Sequence, residues 1–395
     1  MTTIILRNGH VKPVWAGHPW VYAQAIKAIE GAPTEGSLVR VSSENGRFLG
    51  QGFYSPKSAI PVRILSRDPE EILESSFFHS RLERAYRIRR DLLNVPSQHT
   101  NAYRLVHSEG DMLGGLIVDV YGEVATAQLL TVGMKQREDD IFAAIKHVTG
   151  VRSVLEIARS STLRREGFEA STRTVYGPEV TTLEFAESDI NYTVPLEISQ
   201  KSGFYLDHRE TRLLVRTIAK HKRVLDAFCY LGSFSLTALR GGAESARAID
   251  SSASVLATAA TIAEQNGFGG RILFDKADVR AQLPALHARG EKFDVVIIDP
   301  PKLAPSTKHL HQGRRAYQKL NSAALRLVAT DGLLLTCSCS AALKLEDFLR
   351  VLALAAKDAG RQVQVLRVGL QSADHPTLPA FPEGRYLTYA LLKVL

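Results

Sequence analysis

The chain has 395 residues, 45% of them hydrophobic and 23% charged, which makes it too long for one ordinary domain and too apolar for a disordered protein. Lys and Arg number 49 against 41 Asp and Glu, and this net charge of +8 favours a polyanionic partner without separating nucleic acid from a merely basic surface. The chain does not open with a cationic segment and a long apolar core, and no stretch approaches a spanning helix, so we expect a cytoplasmic protein with no membrane partner.

Residues 1–73 predict a small β-barrel or sheet domain. Short β-like runs at 38–41 and 60–65 lie among glycines at positions 17, 31, 36, 46, 50 and 52. Residues 74–99 then predict a basic helical linker, because apolar side chains follow a helical spacing from 76 to 93 among five arginines. For any one of these arginines a solvated helix face is the simpler explanation, although the helix could also touch a phosphate backbone.

Residues 100–190 predict a second small domain of the α+β class. Two β-like runs, 116–121 and 124–130, flank Gly122 and Glu123, which is a hairpin signal. An amphipathic helical segment follows from 136 to 148.

From residue 191 to residue 395 the pattern changes to an alternation of β-like and helical segments. The β-like runs lie at 224–228, 246–250, 272–274 and 295–299, and the helical segments lie at 233–239 and 253–265. Alternation of this kind predicts a parallel sheet covered by helices, and the chain is therefore placed in the α/β class.

Acidic residues stand at the ends of three successive β-like runs. Asp226 closes the first run, and Phe228 and Gly232 lie in the turn that opens the next helix, where a ligand can approach the backbone. Asp250 ends the second run, from which a carboxylate accepts hydrogen bonds from ribose hydroxyls, and Asp278 follows the third, where it could accept from an adenine amino group. Each aspartate alone is explained by a helix cap or a turn, but three in register predict a nucleotide-like ligand.

The residues of the turn discriminate between the cofactors that carry ribose and adenine. These are the nicotinamide cofactors, the flavin cofactors and S-adenosylmethionine. Ser233 and Ser235 stand where a pyrophosphate would need bare backbone, so the turn lacks the Gly-x-Gly-x-x-Gly pattern. A methionine-bearing cofactor has no pyrophosphate and carries a sulfonium cation, which suits carboxylates such as those of Asp207 and Asp226. The sequence therefore favours S-adenosylmethionine, with an oxidoreductase as a distant alternative.

The tetrapeptide Asp299-Pro300-Pro301-Lys302 follows the last buried β-like run. In many class I amino-group methyltransferases an aromatic residue at the fourth position stacks on the target base, and Lys302 argues against methylation of an exocyclic amine. Carbon 5 of a pyrimidine is too weak a nucleophile to take a methyl group until a thiolate adds at carbon 6. Asp299 could favour that addition by stabilising the adduct protonated at ring nitrogen 3. Lys302 could lower a thiol pKa or bind a phosphate, or it could be an ordinary surface lysine.

Three cysteines, Cys229, Cys337 and Cys339, form an odd set without the spacing of a disulfide scaffold. Cys337 and Cys339 share strand parity, and Cys339 is the candidate nucleophile because it lies further out, where strand carboxyl ends meet ligands. Cys229 and Cys337 are expected to be small buried hydrophobes. A Cys-x-Cys pair without a second pair or a nearby His is a poor zinc site, so we expect no metal.

The motifs at 200–209, 226–234, 299–302, 336–340, 373–376 and 382–384 together resemble the ribosomal RNA large subunit methyltransferase I family. Residues 18–22 and 52–56 are similar to the family's N-terminal PUA domain, and 104–106 with 114–119 are similar to its central domain. The resemblance therefore runs over nearly the whole chain. It implies a PUA-like RNA-binding domain at 1–73, a central α+β domain at 100–190 and a class I, Rossmann-like S-adenosylmethionine-dependent methyltransferase domain at 191–395.

The resemblance also implies roles for individual residues. Those expected beside the cofactor are Tyr205, Asp207, Arg209, Asp226, Phe228, Gly232, Asp250, Asp278 and Asp299. Those expected on the substrate are Pro300, Pro301 and Lys302, with Cys339 as nucleophile and Asp299 beside it in catalysis. Relatives often have Thr-Gly-Gly at positions 231–233 and Phe at position 337. Other cytosine-C5 RNA methyltransferases carry a second cysteine where this chain has Lys302, so release of the product must use another base or water.

The activity implied is methylation of carbon 5 of a specific cytosine in 23S rRNA through a covalent bond between cysteine and carbon 6, with 23S rRNA as partner. Two copies of the chain could form a homodimer. Uracil-C5 methylation needs the same thiol and stays open at this point. So does a non-catalytic RNA-binding assembly protein that has kept the fold.

Overall fold

A computed structural model describes residues 2–158, 166–200 and 202–395 of the chain, so that Lys201 of the motif at 200–209 lies outside the described residues. The contacts divide the chain into two compact units. The first unit contains Met1–Ala186, Val194–Leu206 and Ala373–Gly384, and the second contains Glu187–Thr193, Asp207–Ser372 and Arg385–Leu395. The chain therefore changes unit repeatedly, and the domain boundaries expected at 73, 99 and 190 stay predictions.

Six strands of the first unit form one sheet in the order β2-β6-β5-β4-β1-β3. They are β1 (Thr2–Leu6), β2 (Trp20–Val21), β3 (Ile26–Glu30), β4 (Leu38–Ser43), β5 (Phe48–Tyr54) and β6 (Val62–Ser66), with helix α1 (Asn8–Trp15) after β1. Ile4 and Leu6 on β1 and Val39 and Val41 on β4 are fully buried, because alternate side chains of a strand point to one face. The expected small β domain is confirmed.

A second sheet of the first unit has the order β11-β10-β9-β8-β7. Its strands are β7 (Ala102–His107), β8 (Leu116–Tyr121), β9 (Val124–Leu129), β10 (Ser153–Glu156) and β11 (Arg173–Tyr176), and its helices are α2 (Ser75–Arg87), α3 (Val132–Lys135) and α4 (Glu138–Thr149). β8 and β9 pair antiparallel, and Gly122 between them has φ 56°, as the hairpin signal predicted. One arginine of the basic helix departs from expectation: Arg89, in the π-helical turn Ile88–Leu92 that continues α2, is fully buried and donates to Asp111.

The second unit is built on a sheet of seven strands in the order β16-β15-β14-β17-β18-β20-β19. The remaining strands of the chain are β12 (Thr182–Glu187), β13 (Ile190–Pro195), β14 (Arg223–Ala227), β15 (Ser245–Asp250), β16 (Ile272–Lys276), β17 (Phe293–Ile298), β18 (Val328–Ser338), β19 (Val363–Leu370) and β20 (Thr388–Val394). The helices are α5 (Arg209–Ile218), α6 (Ser233–Arg240), α7 (Ala253–Gln265), α8 (Val279–Ala288), α9 (Leu310–Leu327) and α10 (Leu345–Ala359). The first five strands in the sheet order are parallel, and β20 is antiparallel to both of its neighbours.

The strand order reverses between β14 and β17, because the chain builds outward through β15 and β16 and then returns to the other side of β14. In an open parallel sheet the crevice at such a reversal, outside the carboxyl ends of the strands, is where ligands bind. Residues 295–298 of β17 are fully buried, as expected for a strand covered on both faces. Among the described residues, no helix combines the length and the apolar character that crossing a membrane requires.

Candidate active site

The acidic residues singled out in the sequence follow adjacent parallel strands of the second unit. In the register of the sheet Asp226 on β14 aligns with Ile297 on β17, and Ile298 aligns with Thr336 on β18. The carboxyl ends of β14, β15, β17 and β18 therefore meet at one edge, which carries Asp226, Asp250, Asp299 and Cys339. Asp278 follows β16, the outermost strand at this end of the sheet.

The turn after β14 has an unusual backbone. Phe228 has φ 65°, Tyr230 has φ 51° and Gly232 has φ 68°. A left-handed conformation is uncommon for residues with a side chain, and such residues cluster at ligand sites, where the surrounding structure holds them in place. At Gly232 a Cβ atom would lie 3.2 Å from the Phe274 ring in addition to the unfavourable φ. The glycine therefore fits a left-handed position packed against Phe274, and the contact of this turn with a ligand stays a prediction.

Asp226 is a fully buried carboxyl with one unsatisfied oxygen. Its Oδ2 accepts hydrogen bonds from the Ser235 backbone nitrogen at 3.1 Å and from Ser235 Oγ at 2.9 Å. Its Oδ1 is buried and has no hydrogen-bond partner among the described residues. The pKa of Asp226 is raised to about 7, chiefly by burial and also by the nearby carboxylates of Asp299 and Asp250, against the lowering effect of the bonds from Ser235. An aspartate in this state is stabilised by a cation, and the sulfonium and ammonium groups of S-adenosylmethionine are cations.

Asp250 and Asp278 each bind backbone at the start of a loop or helix. Asp250 accepts from the backbone nitrogens of Ser252 and Tyr230, both at 3.0 Å, and the second bond ties the strand end to the turn after β14. Asp278 is the N-cap of α8 and accepts from the Arg280 nitrogen at 2.8 Å. Asp278 thus caps the helix, as its residue type suggests. Its side chain is exposed, and a contact with a ligand would come in addition to the cap.

The residues of the motif at 200–209 are divided between the two units. Tyr205, in the first unit, donates from Oη to Gln200 Oε1 at 2.5 Å. Asp207 and Arg209, in the second unit, are both buried, and Asp207 Oδ2 accepts from Tyr386 Oη at 2.8 Å.

The strand ends that carry Asp299 and Cys339, here called the reacting centre, also hold a residue that the sequence did not single out. His208 is 3% exposed, and its Nε2 lies 3.2 Å from Oδ2 of Asp299. One ring nitrogen of His208, a carboxylate oxygen of Asp299 and Sγ of Cys337 all lie within 4.8 Å of one another. The signal available in the sequence was its position next to Asp207, but nothing in the spacing indicated a contact with Asp299.

The three cysteines differ in surroundings. Cys339 follows the last residue of β18, is partly exposed, and its Sγ lies 3.7 Å from the backbone oxygen of Pro300. Cys337 and Cys229 are buried, and burial raises the pKa of both thiols well above the usual value. The expectation that these two pack as small hydrophobes agrees with their burial, and it leaves Cys339 as the accessible thiol.

A buried tyrosine supports the segment that carries Cys339. Tyr317 on α9 accepts from Ser338 Oγ at 3.0 Å and shares a hydrogen bond with Ser340 Oγ at 3.1 Å. Ser340 Oγ also accepts from the backbone nitrogen of Ala304, at 3.1 Å. These bonds fix the residues on both sides of Cys339, and burial raises the pKa of Tyr317 to about 12, which keeps its hydroxyl neutral.

The tetrapeptide at 299–302 turns outward after Asp299. Pro300 is buried, whereas Pro301 and Lys302 are exposed. Lys302 has no ion-pair partner among the described carboxylates, and the same holds for the exposed Lys308, Arg315 and Lys319. This part of the second unit presents positive charge that no carboxylate of the described chain neutralises.

Comparison with known proteins finds a family match in the N-terminal part of the chain and another in its C-terminal half. The PUA-like domain family matches residues 4–67, and the S-adenosylmethionine-dependent methyltransferase family matches residues 158–379. The cofactor site described above fits that cofactor, because Asp226 offers a buried oxygen without a hydrogen-bond partner among the described residues.

Relatives match the whole length of the chain. The ribosomal RNA large subunit methyltransferase I of Tolumonas auensis is 34% identical over 100% of both chains, and that of Photobacterium profundum is 38% identical over 98% of both. Among solved structures, SMU.776, a candidate methyltransferase in complex with SAH, has a TM-score of 0.85 and 22% identity over 100% of both chains, which shows a shared fold. The chain is an S-adenosylmethionine-dependent methyltransferase and belongs to the ribosomal RNA large subunit methyltransferase I family.

Proposed function

We propose that this protein methylates carbon 5 of a cytosine in 23S rRNA, with Cys339 as the nucleophile that activates the base. The observation that carries the proposal is the position of Cys339, a partly exposed thiol at the carboxyl end of β18 whose Sγ lies 3.7 Å from the Pro300 carbonyl. Asp299 precedes Pro300 in the chain and follows β17. The Cys339 thiol and the Asp299 carboxyl therefore lie at the ends of adjacent strands. Thiol addition at carbon 6 and acid assistance at nitrogen 3 are the two functions that carbon-5 chemistry requires.

The cofactor half of the site supports a methyl donor with positive charge. Bound S-adenosylmethionine would supply the methyl group as an electrophile. The residues proposed to hold it are Asp226 and Gly232 at the methionine end and Asp250 on the ribose. Asp226 is buried beside Asp250 and Asp299, and a cationic ligand would relieve the repulsion among these carboxylates.

An RNA substrate is supported by charge and by similarity. The relatives of similar length are named as ribosomal RNA large subunit methyltransferases, and residues 4–67 match a PUA-like domain. The net charge of the chain is +8, and Lys302, Lys308, Arg315 and Lys319 are exposed cations near the reacting centre in sequence. Cations without acidic partners are suited to phosphate contacts. A cytoplasmic location completes the proposal.

The experiment that tests the proposal is bisulfite mapping of 23S rRNA from cells with the protein, without it, and with Cys339→Ala. We expect one protected cytosine that is lost without the protein and in Cys339→Ala but kept in the matched control Cys337→Ala. Full protection with Cys339→Ala would overturn the thiol mechanism. Nucleoside mass spectrometry that found 5-methyluracil missing instead would assign the uracil reaction, and calorimetry that found no S-adenosylmethionine binding would assign a non-catalytic role.

A further inference from the structure

His208 is a buried histidine in the reacting centre to which the proposed reaction gives no role. Its ring is 3% exposed, and Nε2 lies 3.2 Å from Oδ2 of Asp299. The ring of Phe234 packs edge-on against it, with centroids 5.4 Å apart and planes at 67°. The imidazole is therefore held in one place, with one nitrogen on the carboxylate that we assign to ring nitrogen 3 of the base.

The second ring nitrogen of His208 is unsatisfied. Nδ1 is buried and has no hydrogen-bond partner among the described residues. A buried polar atom without a partner costs free energy, so it is kept where it has a task. Imidazole is the side chain that gains and loses a proton near neutral pH, and in its protonated form both nitrogens are donors.

The groups that lie directly against this ring are Asp299 and Cys337. One imidazole nitrogen, a carboxylate oxygen of Asp299 and Sγ of Cys337 lie within 4.8 Å of one another. With Nε2 at 3.2 Å from Oδ2 of Asp299, a proton can pass directly between the imidazole and the carboxyl.

We propose that His208 is the proton store of Asp299, so that the pair gives a proton to ring nitrogen 3 of the cytosine and takes it back. This inference rests on the proposed function and deepens it. Asp299 contacts the base, and His208 acts through Asp299 as a positioning and proton-supplying residue. The imidazole behind the carboxyl is a second group that can hold the proton passed to ring nitrogen 3 and receive it again.

The pair and the thiol act together on the pyrimidine ring. When the Cys339 thiolate forms the bond from sulfur to carbon 6, the pair gives one proton to nitrogen 3, and the electron pair of the double bond between carbons 5 and 6 moves toward carbon 4. Bound S-adenosylmethionine would supply the methyl group, whose bond to the cofactor sulfur would break, with its electron pair left on that sulfur, as carbon 5 forms its bond to the methyl carbon. Carbon 5 loses its hydrogen to water as a proton, the double bond re-forms, the sulfur leaves with its electron pair, and nitrogen 3 returns its proton to the pair. One proton is released in total, and Cys339 and His208 end as they began.

The addition step can be followed without methyl transfer. In protein without cofactor, the reversible adduct would allow carbon 5 to take up a solvent proton and then lose the original hydrogen. RNA that carries deuterium at cytosine carbon 5 should therefore lose it to water at the target site, and mass spectrometry of the isolated nucleoside measures the loss. This readout depends on the thiol and the proton store and does not need the cofactor.

The variant to test is His208→Gln, whose amide can still donate to Asp299 but cannot store a proton. We expect deuterium loss and methyl transfer to fall by about 100-fold or more at neutral pH, in the range of general acid catalysis. The matched control is His287→Gln, an exposed position on α8 in the same unit, which should match the wild type. Thermal melting of each protein shows whether the variants fold, and His208→Asn serves as a second variant if His208→Gln does not.

The pH profile separates proton supply from mere support of Asp299. If the ring supplies the proton, the pH profiles of deuterium loss in the wild type and in His208→Gln should differ in shape, whereas mere support of Asp299 would lower the rate by the same factor at every pH. A variant with the wild-type profile and a rate within about threefold of the wild type would overturn the inference. Wild-type protein that neither exchanges deuterium nor methylates cytosine would instead overturn the proposed function, so the two failures are distinct.

Discussion

Replacing Asp226 by Asn should abolish the pH dependence of cofactor binding. Asp226 is fully buried, one of its oxygens is unsatisfied among the described residues, and its pKa is raised to about 7 by burial. A bound cation favours the carboxylate, so binding expels the proton from the side chain at any pH below that pKa. Cofactor affinity should therefore rise with pH and level off above neutrality.

The size of the effect follows from the raised pKa of about 7. About a tenth of Asp226 is ionised one pH unit below this value and about nine tenths one unit above it, which gives roughly a tenfold gain in affinity across that interval. The stability of the fold depends on pH in the opposite direction from the cofactor affinity. A carboxyl whose folded pKa lies above its unfolded pKa stabilises the protein while it is protonated, and this contribution is lost as the pH rises from about 4 to about 7.

Isothermal titration of the wild type and Asp226→Asn with S-adenosylmethionine at about pH 6, 7 and 8 measures both affinities. The ionisation of the ligand itself is the same for both proteins and cancels in the ratio. Asp226→Asn should bind weakly at every pH, so the ratio of wild-type to variant affinity should rise roughly tenfold between about pH 6 and pH 8. The variant should melt no lower than the wild type at about pH 8, since it removes a buried charge. An unchanged slope in Asp226→Asn would show that another group titrates, and the electrostatic reasoning for this carboxyl would be wrong.

Two further changes test the support of the site. Tyr317→Phe removes the hydroxyl that fixes the residues flanking Cys339, so we expect kcat for RNA methylation to fall by about tenfold and cofactor affinity to stay constant; a wild-type kcat would show that the loop holds its place without these bonds. Arg212→Ala leaves Glu187 buried without its partner, since the two side chains are joined by bonds of 2.5 and 2.8 Å, and we expect a loss of about 3–5 kcal/mol in urea denaturation. The double variant with Glu187→Gln should recover part of that loss, and no recovery would argue against the buried charge as the cause.

Local patterns in the sequence were sufficient for most elements of the second unit. Helix α7 (Ala253–Gln265) and strand β15 (Ser245–Asp250) lie where the alternation of β-like and helical segments placed them, within a residue or so. The reason is that a short β-like run and the helix that follows it, with Ser252 as its N-cap, are both local signals.

Contacts between residues far apart in the chain could not be predicted from the sequence. The contact between His208 and Asp299 joins a segment before the sheet to the end of β17, and no spacing within either segment encodes it. The burial of Arg89 was also missed, because its partners, Asp111 and the backbone oxygen of Asp374, come from later parts of the chain. A buried arginine and a solvated one have the same neighbours in sequence, and only long-range partners distinguish them.

The repeated passage of the chain from one unit to the other limits how the protein can be divided. A cut at residue 190 would leave the fragment 191–395 with Val194–Leu206 and Ala373–Gly384, two segments whose contacts belong to the first unit. Within these segments Phe204 and Phe381 are 1% and 4% exposed in the intact chain, and the fragment would present both rings to water. A fragment cut at residue 190 is therefore not an autonomous folding module, because it carries these two segments without the first unit that buries them.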